Sequence, residues 1–338
     1  MKRWISILGA VGLLVGICCS WQWWMPRMAE LALREASALN FRRLGVVALQ
    51  YTDPVMRSVG RYLKEDLLPE EDEHFLYFKK EESEPPLDDS IKAANLSAIS
   101  GIYREYNGTA VANATDYEIE ELLERSVAMP QFEKSGPAIL IYHTHTTECY
   151  RNEKGISNTT DESQNVVAVG ERMAEVFRAK GYETIHLKEV FNQPKFSGSY
   201  GRSMAAAEKI LAENPSIKVV LDVHRDSISS NGVDYYPVTK VRGREAAQVM
   251  IVCGTGANGL SHPHWKENFT YALELSRKMG ELYGEFSRPV NLRKDRFNTH
   301  FTPHTLLLEM GSEANTLNQA LYAGELTAQA MMALWEEE

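Results

Sequence analysis

From about Gly136 onward, short apolar runs alternate with amphipathic stretches, and the two patterns predict different elements. Short continuous apolar runs are typical of strands buried in a sheet. These runs span 138–142, 219–223, 248–253 and 305–310. Apolar residues at helical spacing predict helices between and after them. The predicted helices span 166–180, 203–213, 265–284 and 316–335.

The lengths of the connections suit right-handed crossovers between parallel strands. The pattern therefore predicts a three-layer α/β/α sandwich, with helices on both faces of a largely buried sheet. We place this domain at residues 135–338.

An uncharged run from Trp4 to Trp24 follows Lys2 and Arg3 at the N-terminus. At about 1.5 Å per residue, a helix of this length matches the ~30 Å hydrocarbon core of a bilayer. The basic flank predicts a cytoplasmic N-terminus, so residues 1–25 are predicted to be a single-pass anchor in the cytoplasmic membrane with the rest of the chain outside. A cleaved signal peptide is the alternative interpretation.

The range 26–134 has weak periodicity and two acidic stretches, at 70–73 and 81–84, the second followed by Pro85 and Pro86. This composition favours a polar stalk or linker with some helix.

The overall composition argues against one class of function. The 338 residues are 44% hydrophobic and 24% charged, as in an ordinary globular protein, and the formal net charge is -10. Nucleic-acid binding is disfavoured, because it depends on clustered Lys and Arg.

Three predicted strands end in side chains that suit a metal site. Alternation along the first strand places His143 and His145 on one face, the second carries His224, and the third ends at Glu309. Ligands of open α/β sheets bind beyond the carboxyl ends of the strands. A single His at such a position is more often structural, but two imidazoles and a carboxylate around an open position form a catalytic zinc site. The three strand ends together favour the metal site.

Several longer strings carry a resemblance to a known family. They are IYHTHTTECY, TDESQNVVAVG, FSGSYGRS, LDVHRDS, HPHWKEN and LLLEMGSEANT. From Ala138 to the C-terminus the chain resembles the stage II sporulation protein P family of endospore-forming bacteria. That family is related to the zinc-dependent N-acetylmuramoyl-L-alanine amidases, so the resemblance implies their α/β fold and a Zn²⁺ ion.

The resemblance also implies roles for particular residues. His145 and His224 match the two histidine ligands of the amidases. The carboxylate ligand matches Asp161 or Glu162, and the register leaves both open. Glu309 matches the catalytic glutamate, the general base toward a water at the zinc ion.

Four further residues are candidates for contact with the substrate. His143 and Asn315 lie within the matching motifs. Arg225 could hold a carboxylate of the stem peptide, with pairing to an acidic neighbour as an equal alternative. Trp265 could stack on sugar or peptide, with packing at the start of its helix as an equal alternative.

The function implied by the resemblance is hydrolysis of peptidoglycan at the amide between N-acetylmuramic acid and L-alanine. The setting would be engulfment of the forespore, at the membrane, with stage II sporulation proteins D and M as partners. Cleavage of peptide cross-links is a further activity described for the family. The sequence does not show which of the two bonds this chain cleaves. The alternatives are a zinc peptidase acting on stem peptides alone and a non-catalytic scaffold that binds the wall.

Overall fold

The computed structural model describes residues 90–96, 103–106, 109–152 and 154–337. All of them belong to one compact unit, Ser83–Glu338. No helix within this described part combines the length and apolarity needed to cross a bilayer. The anchor predicted at residues 1–25 and most of the predicted stalk lie outside the described residues.

The described chain contains twelve strands and five helices. The strands are β1 Ile91–Ala94, β2 Tyr103–Tyr106, β3 Thr109–Asn113, β4 Ile139–Tyr142, β5 Thr184–His186, β6 Val219–Asp226, β7 Ser229–Ser230, β8 Val233–Val241, β9 Arg244–Ala247, β10 Val249–Gly254, β11 Val290–Arg293 and β12 His304–Ser312. The helices are α1 Glu120–Leu123, α2 Val166–Ala179, α3 Ser199–Glu213, α4 Trp265–Tyr283 and α5 Leu317–Trp335. The four predicted strands and four predicted helices of the C-terminal region are all present.

The main sheet is mixed and has the strand order β2-β3-β11-β10-β12-β6-β4-β5. Strands β12, β6, β4 and β5 are mutually parallel, whereas β10 is antiparallel to β12. A parallel connection needs a crossover of a dozen or more residues, usually with a helix. The segment 294–303 between β11 and β12 contains no helix, so the chain reverses direction there. The expected run of parallel crossovers therefore holds for only part of the sheet.

Helices cover both faces of the main sheet. On one face, Ile139, Ile141 and Leu221 belong to a large cluster that includes apolar residues of α2, α4 and α5. On the other face, Leu140 and Tyr142 belong to a smaller cluster with residues of α3. A second sheet, in which β8 pairs with β1, β7 and β9, accompanies the main one.

The main sheet extends further toward the N-terminus than residue 135. Strand β3 pairs with β11, and β2 pairs with β3. Leu122 and Leu123 of α1 are buried. These elements fall within the range 26–134 that the sequence assigns to a stalk or linker. Each has only four or five residues, too few for a periodic pattern to stand out from its polar surroundings.

Side chains that precede α2 and α5 fix where these helices begin. The Asn165 side chain accepts a hydrogen bond from the Val167 backbone N–H. Thr316 and Gln319 form a reciprocal capping box at the start of α5. Both satisfy backbone donors that the first helical turn leaves unpaired.

A buried ion pair joins α2 to α5. Arg172 Nη2 lies 2.7 Å from Glu325 Oε2, and the Glu325 side chain is 2% exposed. Close by, Gly324 allows the two helices to approach, since a Cβ there would lie 2.9 Å from Val169 Cγ1. Loss of one partner of a buried pair leaves the other charge uncompensated in the interior.

We expect Arg172→Ala to lower the free energy of unfolding by about 3–5 kcal/mol, because Glu325 would stay buried without its counter-charge. Urea denaturation followed by circular dichroism measures this change. The matched control is Arg277→Ala, which removes partly exposed pairs with Glu274 and Glu281 on α4 and should change stability by less than about 1 kcal/mol. Equal small effects from the two variants would contradict the role assigned to the buried pair.

Candidate active site

The turn that follows β4 places His145 and Glu148 side by side. The strand ends at Tyr142, and the chain then turns, with the Glu148 N–H donating to the His145 carbonyl at 3.0 Å. Thr146 Oγ1 donates to the carbonyl of His143 at 2.9 Å. The turn separates the directions of His143 and His145, so the alternation expected from a continuing strand does not apply.

His145, Glu148 and His224 form a compact cluster. One ligand atom from each lies within 4.8 Å of the others. Glu148 Oε1 is 3.2 Å from His145 Nδ1, and Glu148 Oε2 is 3.2 Å from His224 Nδ1. The cluster is largely buried. Two imidazoles and a carboxylate are a donor set that zinc accepts, so these residues fit a divalent metal ion.

The charges of the cluster are strongly coupled. Burial opposes ionisation of Glu148, but His224 and the hydrogen bond from His145 hold the pKa of Glu148 below its usual range. Burial likewise opposes protonation of His224, yet Asp222 and Glu148 raise its pKa well above the usual value. A cation, whether a proton or a metal ion, is therefore stabilised between these groups.

Asp222 orients His224 from the side away from Glu148. His224 Nε2 lies 2.9 Å from Asp222 Oδ1. The fully buried Asp222 also accepts from the Thr144 backbone N–H at 2.8 Å and from Thr144 Oγ1 at 2.7 Å. A carboxylate in this position fixes the tautomer and direction of a metal-binding imidazole.

The structure corrects the expected carboxylate of the cluster. Asp161 accepts from the backbone N–H of Ser163 at 3.0 Å and from its Oγ at 2.7 Å, in an exposed turn before α2. The Glu162 side chain is 56% exposed and lies 4.0 Å from Lys188. Neither side chain joins the histidines, and Glu148 does. Its position three residues after His145 was the available signal.

Glu309 lies beside the cluster on the neighbouring strand. It is the register partner of His224, so the two side chains project from the same face of the sheet. Its Oε2 is buried and has no hydrogen-bond partner among the described residues. Burial raises the pKa of Glu309 to about 8; His224 opposes this rise, and Asp226 and Glu148 add to it. A carboxylate with this raised pKa can take up and release a proton near neutral pH.

Of the four predicted substrate contacts, two are enclosed by protein hydrogen bonds. His143 is fully buried, with Nδ1 2.8 Å from the Val223 carbonyl and Nε2 2.8 Å from His186 Nε2. Arg225 Nε donates to the Cys149 carbonyl at 3.1 Å, and its Nη2 donates to the Ser157 carbonyl at 2.8 Å. These side chains support the loops around the cluster.

The other two also have structural contacts. Asn315 is fully buried, and its Nδ2 donates to the Pro237 carbonyl at 3.1 Å and to Gln319 Oε1 at 2.9 Å. The Trp265 ring stacks on Tyr117 with the ring centroids 4.9 Å apart. The structure does not bring either residue into the cluster.

Two aromatic rings of the string FSGSYGRS, neither of which was named as a candidate site residue, lie against His145. The Phe196 ring packs against it at a tilt of 31° with the centroids 4.1 Å apart, and the Tyr200 ring contacts it edge-on with the centroids 5.5 Å apart. Tyr200 is the second residue of α3, and Phe196 lies in the loop before that helix. Contacts between a loop and a strand end leave no periodic signal in the sequence.

Comparison with known proteins identifies the family. The family model described as Stage II sporulation protein P (SpoIIP) matches residues 58–332. The chain belongs to the stage II sporulation protein P family. The family predicted from the sequence motifs is thereby confirmed.

Individual relatives match over shorter regions. Stage II sporulation protein P of Bacillus subtilis (strain 168) is 26% identical over 216 residues, which are 59% of this chain and 52% of that protein. The chain thus spans about half the length of this curated relative.

Solved structures of two amidases show a more distant similarity. The CwlD amidase from Clostridioides difficile, in complex with the GerS lipoprotein, aligns with a TM-score of 0.37 and 10% identity over 59% of this chain and 94% of that one. N-acetylmuramoyl-L-alanine amidase AmiC2 of Nostoc punctiforme aligns with a TM-score of 0.36 and 10% identity over 61% and 98%.

We expect Glu148→Gln to weaken binding of a divalent metal by at least about tenfold, because the amide carries no charge to balance the ion. Metal content after dialysis against a buffered zinc concentration measures the effect. Glu162→Gln is the matched control and should keep the wild-type content. The reverse result, with metal lost from Glu162→Gln and retained by Glu148→Gln, would contradict the cluster described above.

A second test concerns the orientation of His224. Asp222→Asn keeps the size of the side chain but removes the charge beside His224 Nε2, so we expect metal affinity to fall by about 10–100-fold. Competition with a fluorescent zinc chelator measures the affinity. An unchanged affinity in a folded Asp222→Asn protein would show that Asp222 does not orient the ligand.

Proposed function

We propose that this chain is a zinc-dependent peptidoglycan hydrolase that cleaves the amide between N-acetylmuramic acid and L-alanine during forespore engulfment. The observation that carries the proposal is the position of Glu309 opposite His224, beside a cluster of two imidazoles and a carboxylate. Membership of the stage II sporulation protein P family and the resemblance of the motifs support the biological setting.

His145, Glu148 and His224 would hold the zinc ion, and Asp222 would keep His224 in the required tautomer. When bound, zinc supplies Lewis acidity, which polarises a carbonyl and lowers the pKa of water. The remaining chemistry belongs to side chains of the protein.

Glu309 is the general base and then the general acid of the proposed reaction. Its carboxylate takes a proton from the attacking water as the water oxygen bonds to the amide carbon. The protonated Glu309 then gives that proton to the nitrogen of L-alanine while the carbon–nitrogen bond breaks. The products are the lactyl carboxylate on the sugar and a stem peptide with a free amino group.

The membrane anchor at residues 1–25, a catalytic domain outside the cytoplasmic membrane, and stage II sporulation proteins D and M as partners belong to the same proposal. They rest on the charge pattern of the N-terminus and on the family resemblance. Cleavage of peptide cross-links is a second candidate activity that rests on the resemblance alone.

We expect Glu309→Gln to reduce the release of stem peptides from purified peptidoglycan by about 10²–10⁴-fold, because the amide cannot accept the proton. Zinc content and melting temperature should stay near wild type. Mass spectrometry of the soluble products measures release and also identifies the bond, since an amidase frees a peptide that begins with L-alanine.

The matched control for this experiment is Glu162→Gln, an exposed carboxylate whose loss should leave the rate unchanged. Near-normal release by zinc-loaded Glu309→Gln would exclude the role of Glu309. Products in which L-alanine is still attached to the sugar would show that the protein is a peptidase and not an amidase.

A further inference from the structure

Phe196 is unusually exposed for an aromatic residue beside a polar cluster. It is 56% exposed, more than any other large hydrophobic residue in the part of the chain that the structure describes. Its ring is tilted by 31° from that of His145, with the centroids 4.1 Å apart. One face of the ring therefore covers a residue of the cluster, while much of the side chain meets solvent. A single exposed apolar side chain is ordinary on a protein surface, but this one lies directly against a residue of the cluster, where a ligand of the cluster could contact it.

The loop that carries Phe196 is held in place by one arginine. From α3, Arg202 donates to three backbone carbonyls, those of Phe191, Lys195 and Ser197. The acceptors lie on both sides of Phe196 along the chain. These hydrogen bonds from Arg202 hold the loop that carries the exposed ring. A ligand that contacts the ring therefore does not have to order the loop when it binds.

The surroundings of the cluster differ in chemistry between its two sides. The side formed by the start of α3 is aromatic, since Tyr200 lies against both His145 and Phe297, the latter with centroids 5.9 Å apart. The side formed by the ends of β6 and β12 is charged. Arg288 Nη2 lies 2.9 Å from Asp226 Oδ2 there.

The substrate of the proposed function has a matching division. On one side of the scissile amide is an uncharged glycan, and on the other is a peptide with carboxylates. Pyranose rings present C–H groups of partial positive charge, which pack on the electron-rich face of an aromatic ring. The aromatic side suits the glycan, and the charged side suits the peptide.

We propose that Phe196 is a binding platform for a pyranose ring of the glycan strand, held in position by Arg202. The inference rests on the proposed function, because it takes the glycan and the stem peptide as the two parts of the substrate. It assigns the glycan to the side of α3.

The test measures binding of two probes to the zinc-loaded full chain by calorimetric titration. One probe is the uncharged tetrasaccharide of N-acetylglucosamine, which has neither peptides nor lactyl carboxylates, and the other is the free stem tetrapeptide. Phe196→Ala should bind the tetrasaccharide about tenfold more weakly, whereas Phe196→Trp should restore binding. The affinity for the tetrapeptide should not change.

Val190→Ala is the matched control, because Val190 is also exposed, at 37%, in the segment between β5 and α3. It should bind both probes as the wild type does. Zinc content is measured for every variant, since a ring that merely supports His145 would lower zinc content when removed.

Three outcomes would overturn the inference. They are a wild-type protein that does not bind the tetrasaccharide, a Phe196→Ala protein that binds it normally, and a Phe196→Ala protein that loses zinc or both probes together. None of these requires catalysis. Failure of the proposed function would instead show as a wild-type protein that binds the tetrasaccharide through Phe196 but releases no stem peptide from peptidoglycan.

Discussion

A single buried carboxylate, that of Glu148, joins the ends of two strands. Its two oxygens face His145 from the turn after β4 and His224 from β6, each at 3.2 Å. A buried carboxylate is stable only with compensating positive charge or hydrogen bonds. The two imidazoles provide this compensation, and a bound cation would provide more of it. The need to compensate the charge of Glu148 determines which way the chain turns after β4. It thereby also determines which side chains can contact a ligand there.

The parallel pairing of β6 with both β4 and β12 then determines the rest of the site. Pairing with β4 places Thr144 where it can donate to Asp222, which in turn orients His224. Pairing with β12 places Glu309 opposite His224. The site therefore lies at the carboxyl ends of neighbouring parallel strands, as is usual for open α/β sheets. Tyr200 of α3 and Phe196 of the loop before it form the aromatic side of the site.

The sequence predicted those parts of the fold whose signal is periodic and local. Apolar runs located β4, β6, β10 and β12, and amphipathic spacing located the four long helices. The short strands β2 and β3 escaped detection because they have only four and five residues, and β3 joins the main sheet through a long-range pairing with β11. Similarly, the sequence did not predict that β10 runs antiparallel to β12. This direction depends on the loop between β11 and β12, whose path no local pattern specifies.

The candidate site was predicted in part for the same reason. His145, His224 and Glu309 each lie at or just beyond the end of a strong apolar run, and the structure brings them together. The carboxylate was expected before α2 because the resemblance to the amidases matched it to Asp161 or Glu162. Alternation was extended past Tyr142 only to place His143 and His145 on one face, and the strand in fact ends at Tyr142. Once the chain turns, Glu148 comes next to His145, and His143 is left buried beside His186. Side chains that follow a strand end obey the geometry of the turn, which alternation does not describe.

X-ray absorption at the zinc edge of the loaded protein shows whether His145, Glu148 and His224 hold a zinc ion. We expect one zinc ion per chain with only nitrogen and oxygen neighbours, at about 2.0–2.2 Å. Cys149, which follows Glu148 and has a free, buried thiol, is the nearest chemical alternative. A sulfur neighbour at about 2.3 Å, or a protein that binds no stoichiometric zinc, would show that these three residues are not the ligands of a zinc ion.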